Sequence, residues 1–280
     1  VWIAATSTVL WIDIEEGQVF EGKLDNGAIR QTRQYDFEGR VGAAVPGEGG
    51  SLLVATQDRL VVVTPDGERI PGPEIVPSGK NSRTNDGACD PRGRFLIGTA
   101  ALDDGAGEEH LSRLEFDGTV TVIDDDLSLS NGLAWSPDGT LLYSVDTLSG
   151  TVWVRSYEAA TGAIGPRTEH LRITDGLPDG ICVDNRGYLW VALWGAGRVQ
   201  SFTPTGEPDD VVRVPTPHPS SVAFIGNELD TLLITTASRD LSSAELLQHP
   251  DAGRLFIADV LAVGLPTHSW SPSGTRPIAN

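Results

Sequence analysis

Asn131-Gly132-Leu133-Ala134-Trp135-Ser136-Pro137-Asp138-Gly139, followed by Leu141-Leu142-Tyr143, is the stretch whose reading decides the fold. It runs from a polar residue and a glycine through a short apolar stretch to a turn, then into a strand of aromatic and aliphatic residues. The same unit occurs upstream as Asn85-Asp86-Gly87-Ala88-Cys89-Asp90-Pro91-Arg92-Gly93-Arg94-Phe95-Leu96-Ile97-Gly98. Downstream it returns as Asp179-Gly180-Ile181-Cys182-Val183-Asp184-Asn185-Arg186-Gly187, then Tyr188-Leu189-Trp190-Val191. Weaker copies turn near Ser7, Gly50 and Gly226, so six turns fall at 7, 50, 93, 139, 187 and 226, spaced by 43, 43, 46, 48 and 39 residues. A period of roughly 40–50 residues is that of a four-stranded propeller blade. Six such units consume all 280 residues. The expected fold is all-β, a six-bladed β-propeller, with residues 1–280 forming one domain.

The rest of the chain agrees with that reading. Val9-Leu10-Trp11-Ile12, Ser51-Leu52-Leu53-Val54, Leu60-Val61-Val62-Val63 and Leu232-Leu233-Ile234-Thr235 are strand-like runs bounded by turn signals such as Pro65-Asp66-Gly67. Only Leu241–Gln248 has helical character. Asp and Glu number 39 against 20 Lys and Arg, a net charge of −19, and the only lysines are Lys23 and Lys80. Such a surface repels phosphate, which argues against nucleic acid and anionic membrane as partners. No apolar run approaches the ~18 residues of a membrane span. Cys89 and Cys182 read as buried thiols of a reducing compartment rather than a bridge, since two cysteines are no disulfide framework. The expected location is therefore cytoplasmic. The chain has no methionine and opens inside a strand-like run at Val1-Trp2, which predicts an incomplete N-terminus.

In a propeller, equivalent positions at the start of each blade's first strand form a ring. Asn85, Asn131 and Asp179 each lie eight residues before the turn glycine of their copy. Two amide oxygens and a carboxylate are hard donors of the kind Ca²⁺, Mg²⁺ or Mn²⁺ takes. The competing reading is structural, because Asn-Gly and Asp-Gly are strong turn signals. The matching positions are Gly42 in the second copy and near His218 in the sixth, so a turn requirement would not be uniform. Arg83, two residues before Asn85, shares its strand face and could bind a hydroxyl-rich substrate through its planar fork, or simply lie at the surface. Asp103 and Asp104 could reach the same mouth or form a solvated acidic loop. Trp135, Trp190 and Trp194 read as packing aromatics, Asp146 as a turn residue and His218 as a loop residue. There is no GxSxG elbow, GxxxxGK[ST] loop or glycine-rich dinucleotide fingerprint.

Arg83-Thr84-Asn85-Asp86-Gly87, Ser130-Asn131-Gly132-Leu133-Ala134-Trp135 and Leu177-Pro178-Asp179-Gly180 together resemble the metal-site motifs of the senescence marker protein (regucalcin), gluconolactonase and luciferin-regenerating enzyme family. The likeness runs in order from Val1-Trp2 to Ala252-Gly253-Arg254-Leu255-Phe256. It implies one divalent metal, Ca²⁺ first, with Zn²⁺, Mg²⁺ or Mn²⁺ as alternatives. The implied ligands are Asn85, Asn131, Asp179 and a glutamate that would lie upstream of Val1. Without that glutamate the chain is expected to bind metal poorly. The resemblance also implies substrate contacts at Arg83, Asn85 and Asp103, and Asp179 as the catalytic base. The implied activity is metal-dependent hydrolysis of a lactone, a sugar lactone first, with a small-molecule substrate as the partner. Two alternatives stay open: a non-catalytic binding propeller, and a metal-dependent aryl-ester or organophosphate hydrolase on the same scaffold. The sequence leaves the oligomeric state open.

Overall fold

The computed structural model describes residues 1–103 and 108–272. The described residues form six antiparallel sheets, each built from strands consecutive in the chain. The first contains Trp2–Ile3, Thr8–Asp13, Gln18–Asp25 and Ala28–Asp36. The second contains Val41–Pro46, Leu52–Thr56, Arg59–Val63 and Arg69–Glu74, and the third Ser82–Cys89, Phe95–Ala101, Glu109–Leu114 and Val120–Leu127. Ser130–Trp135, Leu141–Asp146, Thr151–Glu158, Ala163–Ile164 and Thr168–Arg172 make the fourth. The fifth is Leu177–Val183, Leu189–Trp194, Arg198–Phe202 and Pro208–Arg213, and the sixth Pro219–Ile225, Thr231–Thr236 and Leu255–Asp259. These six sheets are the blades of an all-β, six-bladed β-propeller.

All six turns expected from the repeat join the first two strands of a blade, and each has a residue in the left-handed region. Their φ values are 47° at Ser7, 85° at Gly50, 94° at Gly93, 69° at Gly139, 83° at Gly187 and 88° at Gly226. Glycine populates that region without a Cβ clash, which is why the repeat shows itself most clearly through these residues. Outer strands such as Ala28–Asp36 and Pro208–Arg213 are mostly exposed and carry charges or prolines that discourage pairing with another edge. The segment with helical character forms the helix Ser243–Gln248. Its capping box pairs the Ser242 side chain with the Glu245 N–H and the Glu245 carboxylate with the Ser242 N–H. No helix among the described residues is long and apolar enough to cross a membrane.

The contacts divide the chain into two compact units. One comprises Val1–Asn131, Glu158–Ala163 and the segment from Thr267; the other comprises Gly132–Tyr157 and Ile164–Pro266. In the first unit, Leu10, Val19, Val41 and Val54 fill the space between the first and second sheets. Leu53, Leu60, Phe95 and Ile97 do the same between the second and third. In the second unit, Val145, Val152, Leu189 and Val191 pack the fourth sheet on the fifth, and Trp190, Phe224, Leu232 and Ile234 pack the fifth on the sixth. Alternation along each strand sends side chains to both faces, so one strand serves two of these cores. Leu189 and Val191 face one neighbour while Trp190 and Ala192 face the other. Cys89 and Cys182 form no disulfide among the described residues, and both pack within or against these clusters.

Trp190 is 1% exposed and meets Phe224 edge to face with ring centroids 5.9 Å apart. Trp190→Ala is expected to lower the unfolding free energy by about 3–5 kcal/mol. Leu247→Ala, at a side chain 85% exposed, should stay within about 0.5 kcal/mol of the parent. Urea denaturation of the two variants side by side checks the contrast.

Candidate active site

The polar residues singled out by the repeat lie inside strands, not in turns. Asn85 is in Ser82–Cys89, Asn131 in Ser130–Trp135 and Asp179 in Leu177–Val183. The structural alternative for these residues, an Asn-Gly or Asp-Gly turn, is therefore excluded. The glycines that follow serve close packing instead. A Cβ on Gly132 would sit 2.5 Å from the Asp179 carbonyl oxygen, and one on Gly180 would sit 2.2 Å from the Ser221 hydroxyl. Gly42, which takes the polar position in the second blade, has no room either: its Cβ would meet the Asn85 carbonyl oxygen at 2.5 Å.

The ladder between first and second strands is irregular at this level in four blades. Between the second blade's strands the pairing shifts around Gly42, and in the third around Asn85 and Asp86 opposite Gly98. In the fifth it shifts around Asp179 and Gly180, and in the sixth around Ser220. A bulge of this kind breaks the strict alternation of side chains and re-aims the residues it contains. It is the device that frees Asn85 and Asp179 from the blade-packing faces occupied by their apolar neighbours.

Asn85 is only 5% exposed and its amide is anchored at both ends. Its Nδ2 donates to the Ser130 carbonyl at 2.9 Å, which ties the third blade's first strand to the start of the fourth's. Its Oδ1 accepts from Arg83 Nη1 at 2.7 Å, and the same Nη1 donates to the Thr84 carbonyl at 2.9 Å. Arg83 is thus a buried arginine that shares a face with Asn85, not a surface one. Asn131 is buried and Asp179 half-buried. Asp103 is exposed just past Phe95–Ala101, its carboxylate accepting from Asn81 Nδ2 at 2.7 Å. Asp104 lies outside the described residues.

Several features here escape the sequence reading. Asp86, beside Asn85 in the bulge, has its carboxyl pushed up to about 6 by burial, partly offset by the Gly87 N–H that it accepts at 2.8 Å. Glu109 is 2% exposed and accepts from the Ser82 hydroxyl at 2.7 Å. His218 precedes the strand Pro219–Ile225 but is buried rather than a plain loop residue. It stacks on Trp194 at 4.2 Å and 8°, and its Nδ1 donates to the Arg239 carbonyl at 3.0 Å. Burial lowers its pKa, so it stays neutral near pH 7. Trp194 is half-buried in this stack, whereas Trp135 and Trp190 are core residues as expected. Asp146 ends the strand Leu141–Asp146 and is buried, one residue short of the turn assigned to it.

No group of three or more His, Cys, Asp or Glu side chains suited to a metal occurs among the described residues. Of the expected ligands, Asn85 and Asn131 carry amide oxygens and Asp179 a carboxylate, hard donors of the kind Ca²⁺, Mg²⁺ or Mn²⁺ takes.

The fold is thus a six-bladed propeller with an arginine, two amides and a carboxylate on the first strands of its third, fourth and fifth blades. The chain belongs to the SMP-30/gluconolactonase/LRE-like family, whose model matches residues 1–238. It is 34% identical over 273 residues to the pentonolactonase XacC of Haloferax volcanii, covering 95% of this chain and 91% of the relative. It is 32% identical over 277 residues to regucalcin of Danio rerio, covering 97% and 93%. The crystal structure of a calcium-binding protein, regucalcin, from Agrobacterium tumefaciens superposes with a TM-score of 0.91 at 27% identity, covering 96% of this chain and 92% of that one.

Gly132→Ala tests the close approach of the strands. Its Cβ would strike the backbone at Asp179 and, at 2.8 Å, the Ile181 nitrogen. The variant is expected to lose about 1–3 kcal/mol of stability in urea denaturation.

Proposed function

We propose that the protein is a divalent-metal-dependent lactonase acting on sugar lactones, with Asn85, Asn131 and Asp179 as metal ligands. The observation that carries this reading is the Arg83–Asn85–Ser130 hydrogen-bond chain. It holds a buried guanidinium and an amide oxygen together on a bulged strand of a propeller. Relatives named pentonolactonase and putative sugar lactone lactonase, over 90% or more of this chain, support the reaction class. The calcium-binding neighbour supports Ca²⁺ as the first metal to try.

When bound, the ion supplies Lewis-acid polarisation of the lactone carbonyl. The chain's own residues do the rest. The Arg83 fork grips substrate hydroxyls through hydrogen bonds strengthened by its charge. Asn85, fixed by Ser130, keeps its amide in one orientation and costs no reorganisation as the reaction proceeds. Asp179 takes a proton from the attacking water as its oxygen bonds to the carbonyl carbon. The ring C–O bond then breaks, and the proton passes to the departing alkoxide to give the hydroxy acid. Asp103, exposed and held by Asn81, adds a contact at the rim.

The test is hydrolysis of sugar and aliphatic lactones by the full-length protein, stripped with chelator and reloaded with Ca²⁺, Mg²⁺, Mn²⁺ or Zn²⁺ singly. Turnover should vanish on stripping and return with metal. Asp179→Ala should lower kcat by about 10²–10⁴-fold. Arg83→Ala should mainly raise KM, by about 10–100-fold, the worth of a hydrogen bond to a charged group. Full activity in purified Asp179→Ala, or in stripped protein, contradicts the proposal. Tight metal without lactone turnover would point to another ester, and neither metal nor turnover to a binding propeller.

A further inference from the structure

The lactonase reading leaves one buried side chain of the fifth and sixth blades without a task. His218 is the residue before the strand Pro219–Ile225, and its ring lies flat on Trp194. Register sets this pair beside Asp179. Trp194 ends the fifth blade's second strand and pairs with Leu177, two residues before Asp179 on the first. A Cβ on Gly180, the residue after Asp179, would meet Ser221 Oγ at 2.2 Å, so the first strands of the two blades touch there. Gly180 is three residues after Leu177, and Ser221 is three after His218. The two strands therefore run side by side in the same direction, with His218 at the level of Leu177. Asp179 lies two residues further along, roughly 7 Å at the rise of a strand, a span that one sugar lactone with its hydroxyls covers.

The two ring nitrogens of His218 have different surroundings. Nδ1 lies 3.0 Å from the Arg239 carbonyl. A carbonyl only accepts, so the proton sits on Nδ1 and Nε2 of the neutral ring carries a lone pair. Arg239 follows the sixth blade's second strand, Thr231–Thr236, which lies outside the first. Imidazole nitrogens point in nearly opposite directions, so anchoring Nδ1 outward turns Nε2 toward the inner side of the blade. Among the described residues none bonds Nε2. It is not sealed in either: His170 Nε2 is a buried nitrogen without a partner, and His218 Nε2 is not. Stacking on Trp194 at 4.2 Å fixes the ring plane, so the lone pair is held in one direction. Asp240, Glu245 and His249 act on the ring electrostatically, and burial outweighs the pull of the two carboxylates. The acceptor is therefore present at neutral pH.

We infer that His218 is a specificity-determining residue, whose Nε2 accepts a hydrogen bond from a ring hydroxyl of a lactone bound at Asp179. The inference rests on the lactonase reading and narrows it to hydroxylated lactones. A fixed acceptor rewards an O–H group and gives nothing to a bare methylene, which would instead leave the nitrogen stripped of water and unpaired. The hydroxyl it holds is not the one released by ring opening, so the bond is made alike before and during the reaction.

The test compares glucono-δ-lactone with δ-valerolactone, which has the same ring and no hydroxyls, on the full-length, metal-loaded protein. Where δ-valerolactone is not turned over, its inhibition constant replaces its KM. His218→Phe keeps a flat ring on Trp194 and removes the acceptor. It should raise KM for glucono-δ-lactone about tenfold relative to the value for δ-valerolactone, the worth of one hydrogen bond. The loss should fall on KM rather than kcat, as for an interaction equal in ground and transition states. His218→Gln, whose amide oxygen reaches the place of Nε2, should recover part of the preference. If His218→Phe does not fold, His218→Asn replaces it: its amide can still donate to the Arg239 carbonyl but ends short of Nε2, and it should lose the same preference. Equal changes for both lactones make the residue structural and overturn the inference, as does no change for either. A parent that turns over neither lactone overturns the lactonase reading and this inference with it, whereas an active parent whose variants keep its preference overturns this inference alone.

Discussion

The close approach of successive first strands is the constraint on which the rest depends. At Gly42, Gly132 and Gly180 the gap to the neighbouring strand is too small for a Cβ. At Asn85 the neighbour is reached by a side-chain hydrogen bond to the Ser130 carbonyl. Backbones this close leave no room for apolar side chains between them, so the cores move outward to lie between the sheets, where Phe95, Trp190 and their neighbours are buried. Asn85, at this narrow level, is then held by a backbone carbonyl on a strand rather than by a flexible loop, which suits a site that must keep its geometry.

How much of this the sequence discloses depends on whether a residue type is forced by its conformation. The turn residues are legible because a left-handed φ selects glycine, and Gly93, Gly139 and Gly187 mark the repeat directly. Even Ser7, without that advantage, is found from the period. The same rule misleads at Asn131-Gly132 and Asp179-Gly180, where the glycines answer to a neighbouring backbone and the dipeptides sit within strands. Bulges leave no such mark. Nothing in Asn85-Asp86-Gly87 or Pro178-Asp179-Gly180 requires an extra residue in the ladder, and it is the ladder that decides where the side chains go.

Long-range contacts are illegible for a related reason. Glu109 and Ser82 are 27 residues apart and meet only because the third blade folds as a meander. His218 and Trp194 come from different blades, and nothing in Pro217-His218-Pro219 announces a stacked, buried imidazole. Arg83 is the intermediate case. Its spacing from Asn85 gives the shared face, while its burial and its bond to Oδ1 are properties of the fold.

The account centres on one cation shared by amides and a carboxylate on successive first strands. The most direct measurement is the stoichiometry and affinity of Mn²⁺, followed by electron paramagnetic resonance, in the full-length protein and in Asn131→Ala. The account predicts one Mn²⁺ per chain, displaced by Ca²⁺, with affinity at least about tenfold weaker in the variant, as expected for loss of an interaction with a charged group. One Mn²⁺ bound equally well by Asn131→Ala, or no bound Mn²⁺ in the parent, would contradict it.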